Sequence, residues 1–228
     1  MKYKLQLPIS LLFWGVVAID IIGIAANISV LHYIAKPLLV PTLTLLLFLV
    51  PAAVANKNLL LAGLFFSWLG DLFLLFEDKK KLFFIFGLVC FLTTHVFYII
   101  YFLKIKSISI SLLKKQPLLL AAVLCYGITL VYILYPHLGD LKIPVIVYAT
   151  VICSMLLCSL HIFLKVNKPA NAFYLIGAAF FVLSDSMLAI NKFYQPFTFA
   201  GVCIMLTYCA AQYFIATGFI KHKQFTYD

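Results

Sequence analysis

The sequence predicts an all-α protein built into a membrane, a polytopic bundle of about eight transmembrane helices. Hydrophobic residues make up 65% of the 228-residue chain and charged residues 11%, with a mean hydropathy of +1.13. No soluble domain of this size has an interior large enough to hide that much apolar surface. The apolar residues also come in successive runs of about 20, the length a helix needs to cross the hydrocarbon layer. Lipid offers no hydrogen-bond partners, so such runs must be helical. A β-barrel would alternate apolar and polar residues instead.

The runs fall at roughly 7–26, 37–55, 58–76, 82–103, 117–135, 143–164, 171–190 and 197–220. The first has the basic start of a signal peptide, but Asp20 interrupts it and no clean A-x-A site follows, so it reads as the first span. The remaining spans are divided by short polar joints: "ANKN", "EDKKK", "KIKSISISLLKKQP", "PHLGDLKIP", "KVNKPAN" and "NKFYQP". Nothing is left over for a soluble domain, and residues 1–228 read as one integral membrane domain.

The formal charge of +10 comes from lysine alone, with no arginine, and the lysines sit almost wholly in the joints. A nucleic-acid binder would carry its charge on a folded soluble face; here it sets topology. Eleven lysines fall on the side of the N-terminus, while Lys36, Lys79, Lys80, Lys81, Lys142 and Lys192 fall on the other. The positive-inside bias then places both termini in the cytoplasm. Cys90, Cys125, Cys153, Cys158, Cys203 and Cys209 all lie in apolar runs without a C-x-x-C pair, where free Cys serves as a small hydrophobe.

Carboxylates inside such spans are costly and mark function. Asp71 lies in "AGLFFSWLGDLFLLF" and Asp185 in "YLIGAAFFVLSDSMLAIN". A shift of 114 residues superposes them, together with Gly63 on Gly177, Phe66 on Phe180, Gly87 on Gly201 and Thr93 on Thr207, nine identities in 39 positions. This reads either as a parallel 4+4 internal repeat that brings Asp71 and Asp185 together, or as two Phe/Leu-rich helices alike by composition. Ser67 shares a helical face with Asp71, His95 with Tyr98, and Tyr208 with Gln212. Asp20 is expected to pair with Asn27 in a structural role. His32 and His222 fall outside the spans. No H-x-x-x-H, H-E-x-x-H or G-x-S-x-G occurs, so neither a zinc centre nor a serine nucleophile is expected, and no cofactor. Two neighbouring buried carboxylates suit acid–base work, one protonated and one charged.

The segments "KP" at 36–37, "GD" at 70–71, "GLVCFLTTHVFY" at 87–98, "SDSMLAINKF" at 184–193 and "LTYCAAQY" at 206–213 together resemble the YhhN-type lysoplasmalogenase family of integral membrane proteins. The resemblance covers most of the chain. It implies a hydrolase that cleaves the vinyl ether bond of a lysoplasmalogen to a fatty aldehyde and glycerophospho-ethanolamine or -choline. It implies Asp71 and Asp185 as the acid–base pair, with Lys36, His95, Tyr98, Ser184, Asn191, Lys192, Tyr208 and Gln212 around the substrate. Lys36 and Lys192, read as lying near span ends, would meet the lipid phosphate. The substrate would be a lysophospholipid entering from the bilayer, in a bacterial inner membrane, through an elongated apolar cleft. Two alternatives stay open: the same fold acting on another lysolipid, and a proton-coupled transporter or lipid-handling protein that uses the aspartates as a relay. A transporter would be expected to break helices at matching places, and Pro41 and Pro51 have only Pro144 as a counterpart.

Overall fold

The computed structural model describes residues 5–50, 56–106 and 109–224. Pro51, and Lys2 and Lys4 of the charge balance, lie outside them. The described residues are helical with no strand: α1 Gln6–Ala25, α2 Ser29–Phe48, α3 Lys57–Leu74, α4 Lys81–Leu103, the short α5 Leu112–Lys115, α6 Leu118–Leu134, α7 Lys142–Ile162, α8 Ala170–Ala189 and α9 Ala200–Gln224. Among them are eight helices long and apolar enough to cross a membrane, and the protein is an integral membrane protein. The chain divides into two compact units, Met1–Tyr101 and Phe102–Asp228.

In the first unit, α1 and α2 are joined by a tight turn in which Asn27 takes a left-handed φ of 56°. Gly23 lets the two helices close: a Cβ there would lie 2.8 Å from the His32 backbone nitrogen. The turn brings Asp20 of α1 to His32 of α2, Oδ1 to Nδ1 at 2.8 Å. Asp20 therefore pairs with His32 and not with Asn27, and His32 belongs to a span.

The second span also differs from expectation. It runs from Ser29 to Phe48 and holds both Pro37 and Pro41 inside the helix, whereas the reading from sequence began it at Pro37. Proline inside a helix frees the carbonyl four residues earlier. Pro41 thus frees the carbonyl of Pro37, which accepts a 2.9 Å hydrogen bond from Trp68 Nε1 of α3. With that carbonyl satisfied, the helix continues through both prolines. Lys36 is consequently interior to α2 and buried, not at a span end.

Helices α3 and α4 form an antiparallel hairpin with a seam of small residues. Gly63 faces the Tyr98 ring, Gly70 faces Phe91, and Gly87 faces Leu74. The Thr94 hydroxyl donates to the Gly63 carbonyl at 3.0 Å. Small residues at this spacing let helix backbones approach closely where lipid supplies no hydrophobic drive.

In the second unit α8 and α9 pack in the same manner. A Cβ on Gly177 would meet Ile215 and the Ala211 carbonyl, and one on Gly218 would meet the Tyr174 ring. Tyr208 stands edge-on to Phe181. Helix α8 runs on into a π-helical stretch, Ile190–Tyr194, so Asn191 and Lys192 continue a helix where a joint had been expected. Helix α6 is the least enclosed span: 11% of its apolar window is buried, against 56% for α9.

Candidate active site

In the first unit the polar residues cluster on the α3–α4 hairpin. Asp71 and Ser67 lie one turn apart on α3, both buried, and Thr94, His95 and Tyr98 are buried on α4. Lys36 is buried on α2, which packs against α3. A carboxylate and a lysine are thus withdrawn from the surface of this unit, inside spans that would otherwise face hydrocarbon.

The second unit is built around three consecutive residues of α8. Successive helical residues point about 100° apart, so Ser184, Asp185 and Ser186 reach three different neighbours. Ser184 Oγ donates to the Ile204 carbonyl of α9 at 3.0 Å. Asp185 Oδ2 accepts a 2.6 Å hydrogen bond from the Tyr148 hydroxyl of α7. Ser186 Oγ donates to the Val182 carbonyl at 2.6 Å and accepts from the Tyr126 hydroxyl of α6 at 2.7 Å. Tyr208 and Gln212 are buried one turn apart on α9. Asn191 Oδ1 accepts from the Phe197 amide at 3.3 Å, tying the π-helical stretch to the joint that precedes α9.

Tyr148, Tyr126 and Ser186 are additions to the residues picked from sequence. The signal available was weak: Tyr148 is the one hydroxyl-bearing aromatic in "KIPVIVYATVICSMLLC". A phenol at that depth needs a partner. Nothing in the run shows that the partner is Asp185.

Two spaces border this network. A cavity of about 40 Å³ is walled by Tyr126, Tyr148, Asp185 and Ser186 with apolar residues that include Leu134 and Val145. That exceeds the roughly 10–15 Å³ a water molecule needs, and the walls carry several polar groups to hold one. Outside it, an open apolar groove of about 800 Å³ runs along α6 and α7, from Val123 and Leu157 at one end to Tyr135, Pro136 and Tyr194 at the other. Gly127, Val131, Ala149 and Cys153 line both spaces, so the wall between them is one residue thick. At Gly127 the helices touch, since a Cβ there would lie 2.9 Å from Cys153 Sγ. No group of three or more His, Cys, Asp or Glu side chains converges among the described residues.

Carboxylates and phenols set within apolar spans, one hydrogen-bonded pair beside a cavity behind an open apolar groove, define a polytopic membrane protein with polar groups at membrane depth. Residues 31–219 match the model of the YhhN family, and the chain belongs to that family. It is 32% identical over 168 residues to the human lysoplasmalogenase TMEM86A, covering 71% of this chain and 65% of that protein. The human lysoplasmalogenase TMEM86B is 31% identical over 165 residues, 72% of this chain and 64% of the relative. A lysoplasmalogenase of Mycobacterium tuberculosis (strain CDC 1551 / Oshkosh) is 29% identical over 143 residues, 62% and 52%. The chain thus spans about two thirds of the human relatives and about half of the mycobacterial one. No solved structure matches it.

Proposed function

We propose that the protein is a lysoplasmalogenase-like hydrolase that cleaves the vinyl ether bond of a single-chain alkenyl phospholipid by acid–base catalysis with Asp71 and Asp185. The observation that carries this reading is the Tyr148–Asp185 hydrogen bond at a water-sized cavity behind an apolar groove, in a chain whose named relatives are lysoplasmalogenases. One aspartic acid protonates the alkenyl carbon farther from oxygen, leaving an oxocarbenium ion at the carbon that bears the oxygen. The other, ionised, stabilises that cation and then takes a proton from the water that adds to it. The hemiacetal collapses to a fatty aldehyde and a glycerophospho-alcohol. Tyr148 holds Asp185 in one orientation, and the cavity between Tyr126 and Tyr148 is where the water waits. His95, Tyr98, Ser184, Asn191, Tyr208 and Gln212 shape the polar surroundings, and Lys36 and Lys192 supply positive charge. No cofactor takes part. Residues 1–228 work as a single domain, set in a bacterial inner membrane with both termini cytoplasmic.

The test is aldehyde release from an alkenyl lysophospholipid by purified protein in detergent, with an acyl lysophospholipid as control. Asp71→Asn and Asp185→Asn should each lower the rate by about 10²–10⁴-fold, the range of a lost general acid or base. Because both act in one step, the double variant should be little worse than the poorer single one. Independent, multiplying losses would rule out a shared step. Cleavage of the acyl lipid alone would replace the substrate. No turnover of either lipid by folded wild type would favour the proton relay.

A further inference from the structure

The groove along α6 and α7 is apolar through its length, but its two ends are not alike. At one end Lys142 Nζ lies over the ring of Tyr135, 4.6 Å from its centroid. His137 stands edge-on to Tyr194 at 5.3 Å, and Tyr135 and Tyr194 both line the groove. Lys142 forms no ion pair among the described residues, and Asp140 in the same joint is exposed. At the other end, one turn beyond Leu157, His161 Nε2 meets Lys165 Nζ at 2.8 Å. The α7 stripe that lines the groove, Ile146, Ala149, Cys153 and Leu157, continues at helical spacing to Lys142 in one direction and to His161 in the other.

We infer that Lys142, seated on Tyr135, is the phosphate-binding cation of a single-chain ether phospholipid whose hydrocarbon tail lies in the α6–α7 groove. This rests on the reading of the Asp185 site given above, and distance selects the end. Tyr148, which marks the level of Asp185, is six residues from Lys142 and thirteen from His161. At 1.5 Å of rise per residue those separations are about 9 Å and about 20 Å along the helix. Glycerol separates the phosphorus from the ether oxygen of a lysolipid by about 6 Å when extended, at ordinary covalent bond lengths. A phosphate held at Lys142 therefore sets the ether linkage at the level of Tyr148 and Asp185. A phosphate held at His161 cannot. Beyond the ether, the tail runs past Gly127 and Ala149 toward Val123 and Leu157, over the thin wall that separates groove from cavity. The lipid thus enters sideways from the leaflet on the side of the α6–α7 joint. The tyrosine ring positions the ammonium by cation–π attraction and leaves its protons for the phosphate as a point charge.

The experiment measures equilibrium binding of a radiolabelled 1-O-alkyl glycerophosphoethanolamine, a saturated ether that cannot be hydrolysed this way, to the full chain in nanodiscs. The same alkyl glycerol without phosphate is the second probe. Lys142→Gln should weaken the phospholipid by about tenfold, the loss of one charge-assisted contact, and leave the alkyl glycerol unchanged. The retained alkyl glycerol binding reports that the variant is folded, and Lys142→Arg should keep most of the phospholipid affinity. Lys165→Gln should alter neither. The proposal falls if Lys142→Gln leaves phospholipid affinity intact, if it weakens both probes equally, if Lys165→Gln is the variant that loses it, or if wild type does not prefer the phosphorylated probe. Wild type that binds as expected yet releases no aldehyde from an alkenyl lipid would overturn the proposed hydrolysis and leave the subsite standing.

Discussion

The Tyr148 hydroxyl and the Asp185 carboxylate, 37 residues apart in sequence, meet at 2.6 Å between α7 and α8. A hydrogen bond of this kind is worth about 0.5–1.5 kcal/mol, and here it holds the Asp185 carboxyl in one orientation at the wall of the cavity. Tyr148→Phe keeps the ring and removes the donor. The expected outcome is a kcat lowered by about tenfold or more with KM changed by less than about twofold, because the lost interaction orients the catalytic group without touching the substrate tail. Steady-state aldehyde release over a range of lipid concentrations separates the two. A rise in KM at unchanged kcat would instead make Tyr148 part of the lipid-binding surface.

The α3–α4 seam predicts a contrast between two glycines. A Cβ on Gly63 would lie 2.5 Å from Tyr98 Cε1, whereas at Gly15 nothing comes within 4 Å. Gly63→Ala must move the buried Tyr98 ring or part the helices, and overpacking of this kind costs about 1–3 kcal/mol. Gly15→Ala gains helix propensity without a clash and should be neutral or stabilising by up to about 1 kcal/mol. Unfolding temperatures in detergent, followed by circular dichroism, test both. Equal shifts at the two positions would mean that the Gly63–Tyr98 contact does not constrain the hairpin.

Asp20 and His32 close the α1–α2 turn, and Asp20 Oδ2 is buried with no hydrogen-bond partner among the described residues. Removing His32 leaves the buried Asp20 carboxyl without this partner, and breaking a fully buried pair in this way costs about 3–5 kcal/mol. His32 is partly exposed, so the lower end of that range applies. His32→Ala should therefore destabilise the protein more than the double variant Asp20→Asn/His32→Ala, in which no charge is left stranded. The ordering of three unfolding temperatures decides it. A double variant less stable than both singles would assign the two residues separate roles.

Which of these features could be read from the sequence follows from how local their cause is. Seven of the eight spans lie within a few residues of their expected places, because a continuous apolar run needs no partner to declare itself. The second was displaced by about two helical turns at each end, since Pro37 and Pro41 look like a helix start to any local rule. Their tolerance depends on Trp68, which is on another helix. Asp71, Asp185 and the residues around them stood out as polar groups in apolar surroundings. Tyr148 did not, because tyrosine is an ordinary resident of such helices and only tertiary packing gives it a carboxylate. His32 was missed for the reason that misplaced Lys36: both lie on the part of α2 that had been read as a joint.

The Pro37 carbonyl supplies the sharpest check on how α2 is held. In an uninterrupted helix it would accept from the amide of residue 41, but Pro41 has none, and Trp68 Nε1 donates to it instead at 2.9 Å. Trp68→Phe removes that donor and strands a carbonyl where lipid offers no substitute, at an expected cost of about 1–3 kcal/mol. Pro41→Ala restores the missing amide and lets the helix satisfy the carbonyl from within. The two changes should therefore be strongly non-additive: Trp68→Phe in the Pro41→Ala background should cost less than half of what it costs alone, once the lost ring volume is matched by a Trp68→Leu control. The readout is a double-mutant cycle of unfolding temperatures in one detergent. Equal costs in both backgrounds would show that the indole holds its place by packing alone, and that the broken turn at Pro37 is satisfied in some other way.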